Sequence, residues 1–247
     1  MAEKLASLGA DVAIHDIDFT APSKYGEAAD LDQVAKDMAR HGGKVCAVTG
    51  NIGDRAAVAQ MKRTILEKLG PVHILVNCAG GDIGAAGGKP NPNNALDISY
   101  EDIRVLTENN LIGTMLVCQA FVSDMKAAGS GVVVNIASVA AHMGCSPEVV
   151  YSTLKSGVVH YTRCLAKELL EDGVRVNVVS PGPTKTARFQ ATRTVDPKRM
   201  DAAQKSFNRY AEPDEIAEAV AFLAGPRSKF INGQVLRVDG GLSLFAG

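Results

Sequence analysis

The sequence predicts an α/β fold in which a mostly parallel sheet lies between layers of helices, and three observations carry that prediction. Six short β-branched runs recur along the chain, most of them too continuously apolar to stay half exposed, as expected of strands buried on both faces. Between them lie stretches with apolar residues at three- and four-residue spacing, so strand and helix patterns alternate as in strand–helix–strand units. A chain of 247 residues with 46% hydrophobic content is large enough to bury such a sheet, and one domain over residues 1–247 is expected.

In chain order, D-V-A-I-H at 11–15 is the first strand read from these runs and K-V-C-A-V at 44–48 the second. Between them Leu31, Val34, Ala35 and Met38 share one helical face. V-H-I-L-V-N at 72–77 is the third strand, after a helix that gathers Val58, Met61, Ile65 and Leu69 on one side. A longer helix is predicted to start at Ser99, where Asp102 three residues on makes a relaxed capping box, and to run toward the break at Gly129. Asn110 falls inside it. V-V-V-N-I-A at 132–137 is the fourth strand and ends beside Ser138; the next helix starts after Pro147 and carries Tyr151 and Lys155. V-R-V-N-V-V at 174–179 follows, then a helix from near Pro213 to the G-P pair at 225–226, then Q-V-L-R-V at 234–238. There is no internal repeat or low-complexity tract.

Chemistry concentrates in the middle of this pattern. Positions four apart on a helix lie on one face, so the Lys155 ammonium is expected beside the Tyr151 phenol. A free tyrosine ionises near ~10, and an adjacent cation favours the phenolate, bringing the group toward proton exchange at neutral pH. Ser138, at the carboxyl end of a buried strand, is placed to hydrogen-bond the oxygen whose protonation changes in carbonyl reduction or alcohol oxidation. A Y-x-x-x-K pair alone is short enough to arise by chance. Its setting distinguishes this one: a strand ending in serine before it, an apolar-periodic helix around it, and V-R-V-N-V-V-S-P-G-P-T-K-T after it.

With these motifs the chain resembles a short-chain dehydrogenase/reductase. N-C-A-G at 77–80 resembles that family's N-N-A-G, and N-N-L-x-G at 109–113 its V-N-L-x-G. R-Y-A-E-P-D-E-I-A-E-A-V-A-F-L-A followed by I-N-G-Q-V-L-R-V-D-G-G resembles its usual ending, so the resemblance covers nearly the whole chain. It implies a doubly wound, Rossmann-like sheet and an NAD(P)-dependent oxidoreductase that interconverts a secondary alcohol and a ketone by hydride transfer. In that reading Tyr151 is the general acid/base and Ser138 polarises the substrate oxygen. Lys155 lowers the tyrosine's pKa and holds the nicotinamide ribose, and Asn110 sits at a helix irregularity that supports proton exchange with solvent.

The resemblance also implies a coenzyme site. Asp16 at its strand end would accept hydrogen bonds from the adenosine ribose and repel a 2′-phosphate, favouring NAD over NADP; a solvated loop acid is the alternative. Asn51 and Ile52 would stand against the adenine, with helix capping the alternative for Asn51. Ala79 and Gly80 would let the backbone approach the coenzyme, while Asn77 binds either the ligand or the turn. Pro181, Gly182, Thr184 and Thr186 correspond to the segment that holds the nicotinamide amide, a plain turn being the alternative. Cys78 replaces the family's second asparagine and is read as a small buried residue, not a nucleophile.

One departure stands at the beginning of the chain. Family members open with a strand and a glycine-rich turn, T-G-x-x-x-G-I-G, that holds the pyrophosphate at a helix amino terminus. Here M-A-E-K-L-A-S-L-G-A-D-V-A-I-H-D resembles the end of the next helix and the second strand, so the first strand and its turn are expected to be absent. Two buried strand edges would lose their partner, at roughly 1 to 3 kcal/mol for each backbone group left unsatisfied. Three explanations stay open: a reading frame that starts upstream, a rearranged sheet, or a contact supplied by another chain. They leave an alternative function, a non-catalytic family member or truncated chain that cannot hold coenzyme productively and acts as an oligomer partner. A-G-G-D-I-G-A-A-G-G follows a strand end and reads as an active-site loop, a phosphate cradle being its alternative.

Composition narrows the other classes. A formal net charge of −1 without any block of like charge argues against nucleic-acid or anionic-membrane partners and for a small-molecule alcohol or ketone substrate. Cysteines at 46, 78, 118, 145 and 164, odd in number and without C-x-x-C spacing or a nearby histidine pattern, give no basis for a disulfide framework or a metal site. Glu3, Lys4, Asp11, Asp16 and Asp18 interrupt any leader or membrane helix in the opening residues, so a soluble cytoplasmic protein is expected. Residues 81–98 and 187–210 are expected to shape the substrate pocket. Lys89, Arg188, Arg193 and Arg199 are available there to an acidic substrate unless they lie in water, with His142 and Cys145 as lining candidates. The resemblance further implies a homodimer or homotetramer, packed through the Asn110 and Tyr151 helices and the C-terminal segment.

Overall fold

The computed structural model describes residues 1–244, and β-branched runs and amphipathic stretches form the elements expected of them. Strands β1 (Val12–Asp16), β2 (Val45–Thr49), β3 (Ile74–Asn77), β4 (Gly131–Ile136), β5 (Val174–Pro181) and β6 (Val235–Val238) fall on the six apolar runs. All of their pairings are parallel. The helices are α1 (Ala2–Ser7), α2 (Leu31–Ala39), α3 (Arg55–Leu69), α4 (Tyr100–Thr107), α5 (Gly113–Ala128), α6 (Val149–Glu168), α7 (Ala187–Thr192) and α8 (Pro213–Ala224). Side-chain caps start several of them: Asp30 accepts from the Gln33 N–H at 2.7 Å and Asp54 from the Ala56 N–H at 2.8 Å. At α4 the Ser99 hydroxyl accepts from the Asp102 N–H at 3.1 Å. The Asp102 carboxylate bonds the Ser99 hydroxyl and the Ala85 N–H, tying the following helix to the loop after β3.

β4 and β5 form the centre because Val133, Val134, Val176, Val178 and Val179, all 0% exposed, have apolar neighbours on both faces. On one face Val133 and Val176 pack with Val58, Met61, Ile65, Phe121 and Met125 of α3 and α5. On the other, Val134, Ile136 and Val179 meet Ile216, Val220 and Leu223 of α8. Each fully buried side chain of this kind contributes about 1.5–3 kcal/mol. The continuous helical run Tyr100–Ala128 is long and apolar enough to cross a bilayer by length and composition. Leu106, Cys118, Phe121, Val122 and Met125 spend that hydropathy inside the domain. Between α5 and β5 two turns meet closely: a Cβ on Gly173, whose φ is +69°, would lie 2.2 Å from the Gly129 carbonyl oxygen.

The sheet is in two parts, β1–β2 and β3–β4–β5–β6. Among the described residues no ladder joins β1 to β3, each an outer strand of its own part. The expectation that the chain lacks its amino-terminal strand is not confirmed, since a strand stands at Val12–Asp16; a divided sheet is what the structure shows. Side chains do the joining. β2 sends Cys46 and Val48 into the main core and Val45 and Ala47 toward Ala6, Val12, Ile14 and Leu31. α1 reaches α8 through a Lys4–Glu218 ion pair and sets Met1 against the Val134–Ile216 cluster. The C-terminal segment expected in subunit packing ends in residues 245–247, which lie outside the described residues.

Candidate active site

In parallel units the chain leaves each strand on the same side of the sheet, so the carboxyl ends of β3, β4 and β5 gather with the first turns of α6. Ser138, just past β4, starts a short 3-10 turn, its hydroxyl accepting from the Ala140 N–H at 3.2 Å. Tyr151 and Lys155 share one face of α6, and the Lys155 Nζ lies 5.8 Å from the centroid of the Tyr151 ring, within cation–π range. Only 4% exposed, Lys155 donates from Nζ to the Ile136 carbonyl at 3.0 Å.

Asn110 sits where α4 and α5 join through a single π-turn, Glu108–Ile112, the irregularity the family resemblance implied. Fully buried, its Oδ1 accepts from the Gly81 N–H at 2.9 Å, and its Nδ2 donates to the carbonyls of Gly81 and Leu106, both at 3.0 Å. Its backbone carbonyl accepts from the Thr114 hydroxyl at 2.9 Å. The side chain therefore fastens the loop after β3 to the helix. A second buried polar chain braces α6 from beneath: Asn77 Nδ2 donates to Asn135 Oδ1 at 2.8 Å, and Asn135 Nδ2 to Thr162 Oγ1 at 2.9 Å. The Asn77 amide group thus donates toward the protein interior.

Electrostatics correct one expectation. Burial pushes the Tyr151 phenol above its ordinary range; hydrogen bonding with Ser138 pulls it down, Glu148 pushes it up, and Arg193 and Arg188 pull it down. Arg193 and Arg188 are the cations that pull the phenol down. The Lys155 ammonium lies over the ring face and is itself pushed down to about 8, first by burial, with Arg188 adding and Cys78 opposing. Spacing on the helix predicted the neighbourhood correctly but left out the desolvation that dominates it.

Three coenzyme candidates keep polar or open surface. Asp16 ends β1 with Oδ1 accepting from the Ile17 N–H at 2.7 Å, which leaves its second oxygen open. Ala79 and Cys78 are exposed at the end of β3, so Cys78 is not the buried residue expected. Thr186 caps α7 by accepting from the Phe189 N–H at 3.1 Å and keeps its own hydroxyl proton to donate. Others make contacts within the fold. Asn51 accepts from the Gly53 N–H at 2.8 Å and is not the cap of α3, which is Asp54. Ile52 is 9% exposed and packs where a Cβ on Gly113 would meet it at 2.5 Å. A Cβ on Gly80 would lie 2.6 Å from Asn110 Oδ1, and one on Gly182 2.9 Å from the Asp239 Cα, so both glycines make room for protein. Pro181 ends β5, and the Thr184 hydroxyl donates back to the Gly182 carbonyl at 2.9 Å.

The pocket loops are held by a residue that sequence reading missed. Glu148, at φ +81° before α6, donates its N–H to the Asn93 carbonyl at 3.0 Å and receives both Lys89 and Arg193, the latter at 2.8 Å. Lys89 also lies 3.3 Å from buried Asp82. The only sequence signal of Glu148 is its place after S-P at a helix start. Arg199 stacks 4.5 Å from the Tyr210 ring, so it too is committed. His142 contacts the Ser180 hydroxyl at 2.9 Å beside Arg163 and Arg237, on the β5–β6 side, and the Cys145 thiol faces the Ala140 carbonyl. A cavity of about 250 Å³ lies nearby, lined by Gly182, Pro183, Phe207, Arg209, Val238 and Asp239 among others. Among the described residues no group of His, Cys, Asp and Glu could hold a metal ion.

A family model described as enoyl-(acyl carrier protein) reductase matches residues 1–243. The chain is 36% identical over 246 residues to the (2S)-[(R)-hydroxy(phenyl)methyl]succinyl-CoA dehydrogenase subunit BbsD of Thauera aromatica, covering 100% of this chain and 92% of that protein. It superposes with a TM-score of 0.82 and 27% identity on a 7α-hydroxysteroid dehydrogenase complexed with NADH and 7-oxo glycochenodeoxycholic acid, covering 97% of this chain and 87% of that one. A gluconate 5-dehydrogenase from Burkholderia cenocepacia J2315 in complex with NADP and tartrate matches with a TM-score of 0.80 and 27% identity, over 99% of this chain and 90% of that one. The chain belongs to the short-chain dehydrogenase/reductase family. It has that family's Rossmann-like α/β fold, and its homologues are oxidoreductases of secondary alcohols and ketones that use NAD or NADP.

Proposed function

We propose that the chain interconverts a secondary alcohol and a ketone by hydride transfer, with NAD(H) as coenzyme and Tyr151 as general acid/base. The observation that carries this reading is the meeting of a phenol, a hydroxyl and a buried ammonium at one strand end: the Ser138 hydroxyl pulls the Tyr151 phenol down, and Lys155 Nζ lies 5.8 Å from the tyrosine ring. Residues at both ends of a dinucleotide seat suit such a coenzyme. Asp16 has an open oxygen for the adenosine ribose and a charge that disfavours a 2′-phosphate, while exposed Ala79, the Tyr151–Lys155 face and the Thr186 hydroxyl suit the nicotinamide end.

When bound, the coenzyme supplies the hydride acceptor or donor. The chain's own groups manage the proton and the charge. In oxidation the Tyr151 oxygen takes the proton of the substrate hydroxyl; in reduction it returns that proton to the carbonyl oxygen. Ser138 donates a hydrogen bond to the substrate oxygen, where negative charge grows as the carbonyl is reduced. A phenol held up by burial stays protonated at neutral pH and so is in the donating form, which favours reduction near neutrality and oxidation at higher pH. Lys155, pushed down to about 8, can take or give a proton at Nζ in that range. Asn110 acts through Gly81, keeping the loop over β3 in place.

Apolar side chains left outside, including Tyr100 at 79% and Phe230 at 100% exposure, support a homodimer or homotetramer. Five unpaired cysteines suit a reducing cytoplasm. The divided sheet favours a second reading, a family member that cannot hold coenzyme productively and serves as an oligomer partner. Titration with NADH and NADPH, read by nucleotide fluorescence, separates the two. Tyr151→Phe tests the chemistry: turnover is expected to fall by at least roughly a thousandfold, with NADH affinity and circular dichroism unchanged. Wild-type turnover in that variant would remove Tyr151 from the mechanism, and absence of nucleotide binding by the native chain would leave the second reading.

A further inference from the structure

We propose that Arg188 receives an anionic group of the ligand at the mouth of the catalytic cleft, either a carboxylate of the substrate or a phosphate of the coenzyme. The proposal rests on the reading of this cleft as the catalytic site. Its starting point is an imbalance among the cations. Lys89 is matched by Asp82 and Glu148, Arg193 by Glu148, Lys185 by Glu212, and Arg209 by Glu215. Arg188 is exposed in the first turn of α7, and among the described residues no carboxylate lies within ion-pair distance of it.

The side chain is nonetheless positioned. One Nη2–H donates to the Gly80 carbonyl at 3.1 Å, across 108 positions of sequence. The guanidinium lies along Gly81, where a Cβ would come within 3.1 Å of Nη2 and 3.4 Å of Nη1, so the glycine is the seat that admits it. Gly81 is in turn fixed at N–H and carbonyl by Asn110. Arg188 therefore rests on the same loop that Asn110 anchors, with one of five donors used and a planar fork left for a carboxylate or phosphate. Its charge lowers the Tyr151 phenol, the Lys155 ammonium and the Cys78 thiol, in each case as a smaller effect than burial.

The test needs no turnover. Cys78, at the end of β3, keeps exposed surface although desolvation pushes its thiol up, so its alkylation by iodoacetamide is followed at mildly alkaline pH by peptide mass mapping in the native chain, Arg188→Gln and Arg188→Lys. Millimolar malonate or inorganic pyrophosphate is expected to slow Cys78 alkylation several-fold in the native chain, with roughly a tenfold higher anion concentration needed in Arg188→Gln and partial rescue in Arg188→Lys. Protection by malonate alone assigns the substrate carboxylate; protection by pyrophosphate alone assigns the coenzyme phosphate. If both protect, NADH affinity decides: a roughly tenfold loss in Arg188→Gln assigns the phosphate and an unchanged value the carboxylate. Equal protection of native chain and Arg188→Gln, or no protection by either anion, overturns the proposal. A failed Tyr151→Phe test would leave this measurement standing, because it reads binding and not chemistry.

Discussion

Lys155→Met removes the buried ammonium from α6 while keeping a side chain of similar length, and its consequence for stability can be worked from burial. The ammonium is 4% exposed and its pKa is pushed down to about 8 from the 10.5 of a free lysine. In the folded state the charged form is disfavoured relative to the unfolded chain. The native protein therefore carries a penalty below the folded pKa that is relieved as pH rises from about 8 toward 10.5, where the unfolded chain alone still binds the proton. The full penalty is about 3 kcal/mol, and about 2 kcal/mol of it should disappear between roughly pH 7.5 and roughly pH 9.5. Urea denaturation of both proteins across that window is the assay. The native chain minus Lys155→Met should gain stability with rising pH by that amount, while the variant loses turnover. A difference that stays flat with pH would show that Lys155 is solvated and that the account of the cleft as a low-dielectric site is wrong.

Other changes read other parts of the argument. Gly173→Ala places a Cβ 2.2 Å from the Gly129 carbonyl at φ +69° and should cost roughly 2–4 kcal/mol in urea denaturation; a loss below about 1 kcal/mol would mean that the two turns separate freely. Glu215→Gln removes the charge paired with Arg209 at 2.5 Å while keeping an amide oxygen that can accept from the Glu212 N–H, and should lower stability slightly in urea denaturation at neutral pH. Because Arg209 and the Glu212 N–H hold the Glu215 carboxyl down to about 2 from 4.5, that contribution is present above the unfolded value and fades as pH falls toward 2. A gap between the two proteins that persists in strong acid would contradict it. Asp16→Asn should move preference toward NADPH by roughly tenfold in fluorescence titrations, and unchanged preference would detach Asp16 from the ribose.

Periodicity reveals burial, so the strands and the amphipathic helices were legible from apolar spacing alone, and the Ser99 cap from one hydroxyl before a helical pattern. Spacing also put Tyr151 and Lys155 on one face. It could not weigh the cost of removing both from water, and this term sends the phenol up where the pair alone suggested down. Gly80 illustrates a second limit: a missing side chain signals close approach, but not by what, and here the neighbour is Asn110. Cys78 was misread because a small residue after a buried strand looks interior, whereas the chain has already emerged at the strand's end. Glu148 was out of reach, since its partner Lys89 comes from a loop 59 positions away and no local pattern connects them.

The divided sheet bears on how a long ligand would be gripped. Asp16 belongs to the β1–β2 part and Tyr151 to the helix packed on β4 and β5, and the two parts meet through Cys46 and Val48 against Val58, Met61 and their neighbours. Apolar contacts of this kind have no direction and permit small shear, whereas a shared ladder fixes register residue by residue. If a coenzyme reaches from Asp16 to Tyr151, the span between them is held by apolar side-chain packing instead of a shared ladder, so it is a caliper more than a ruler.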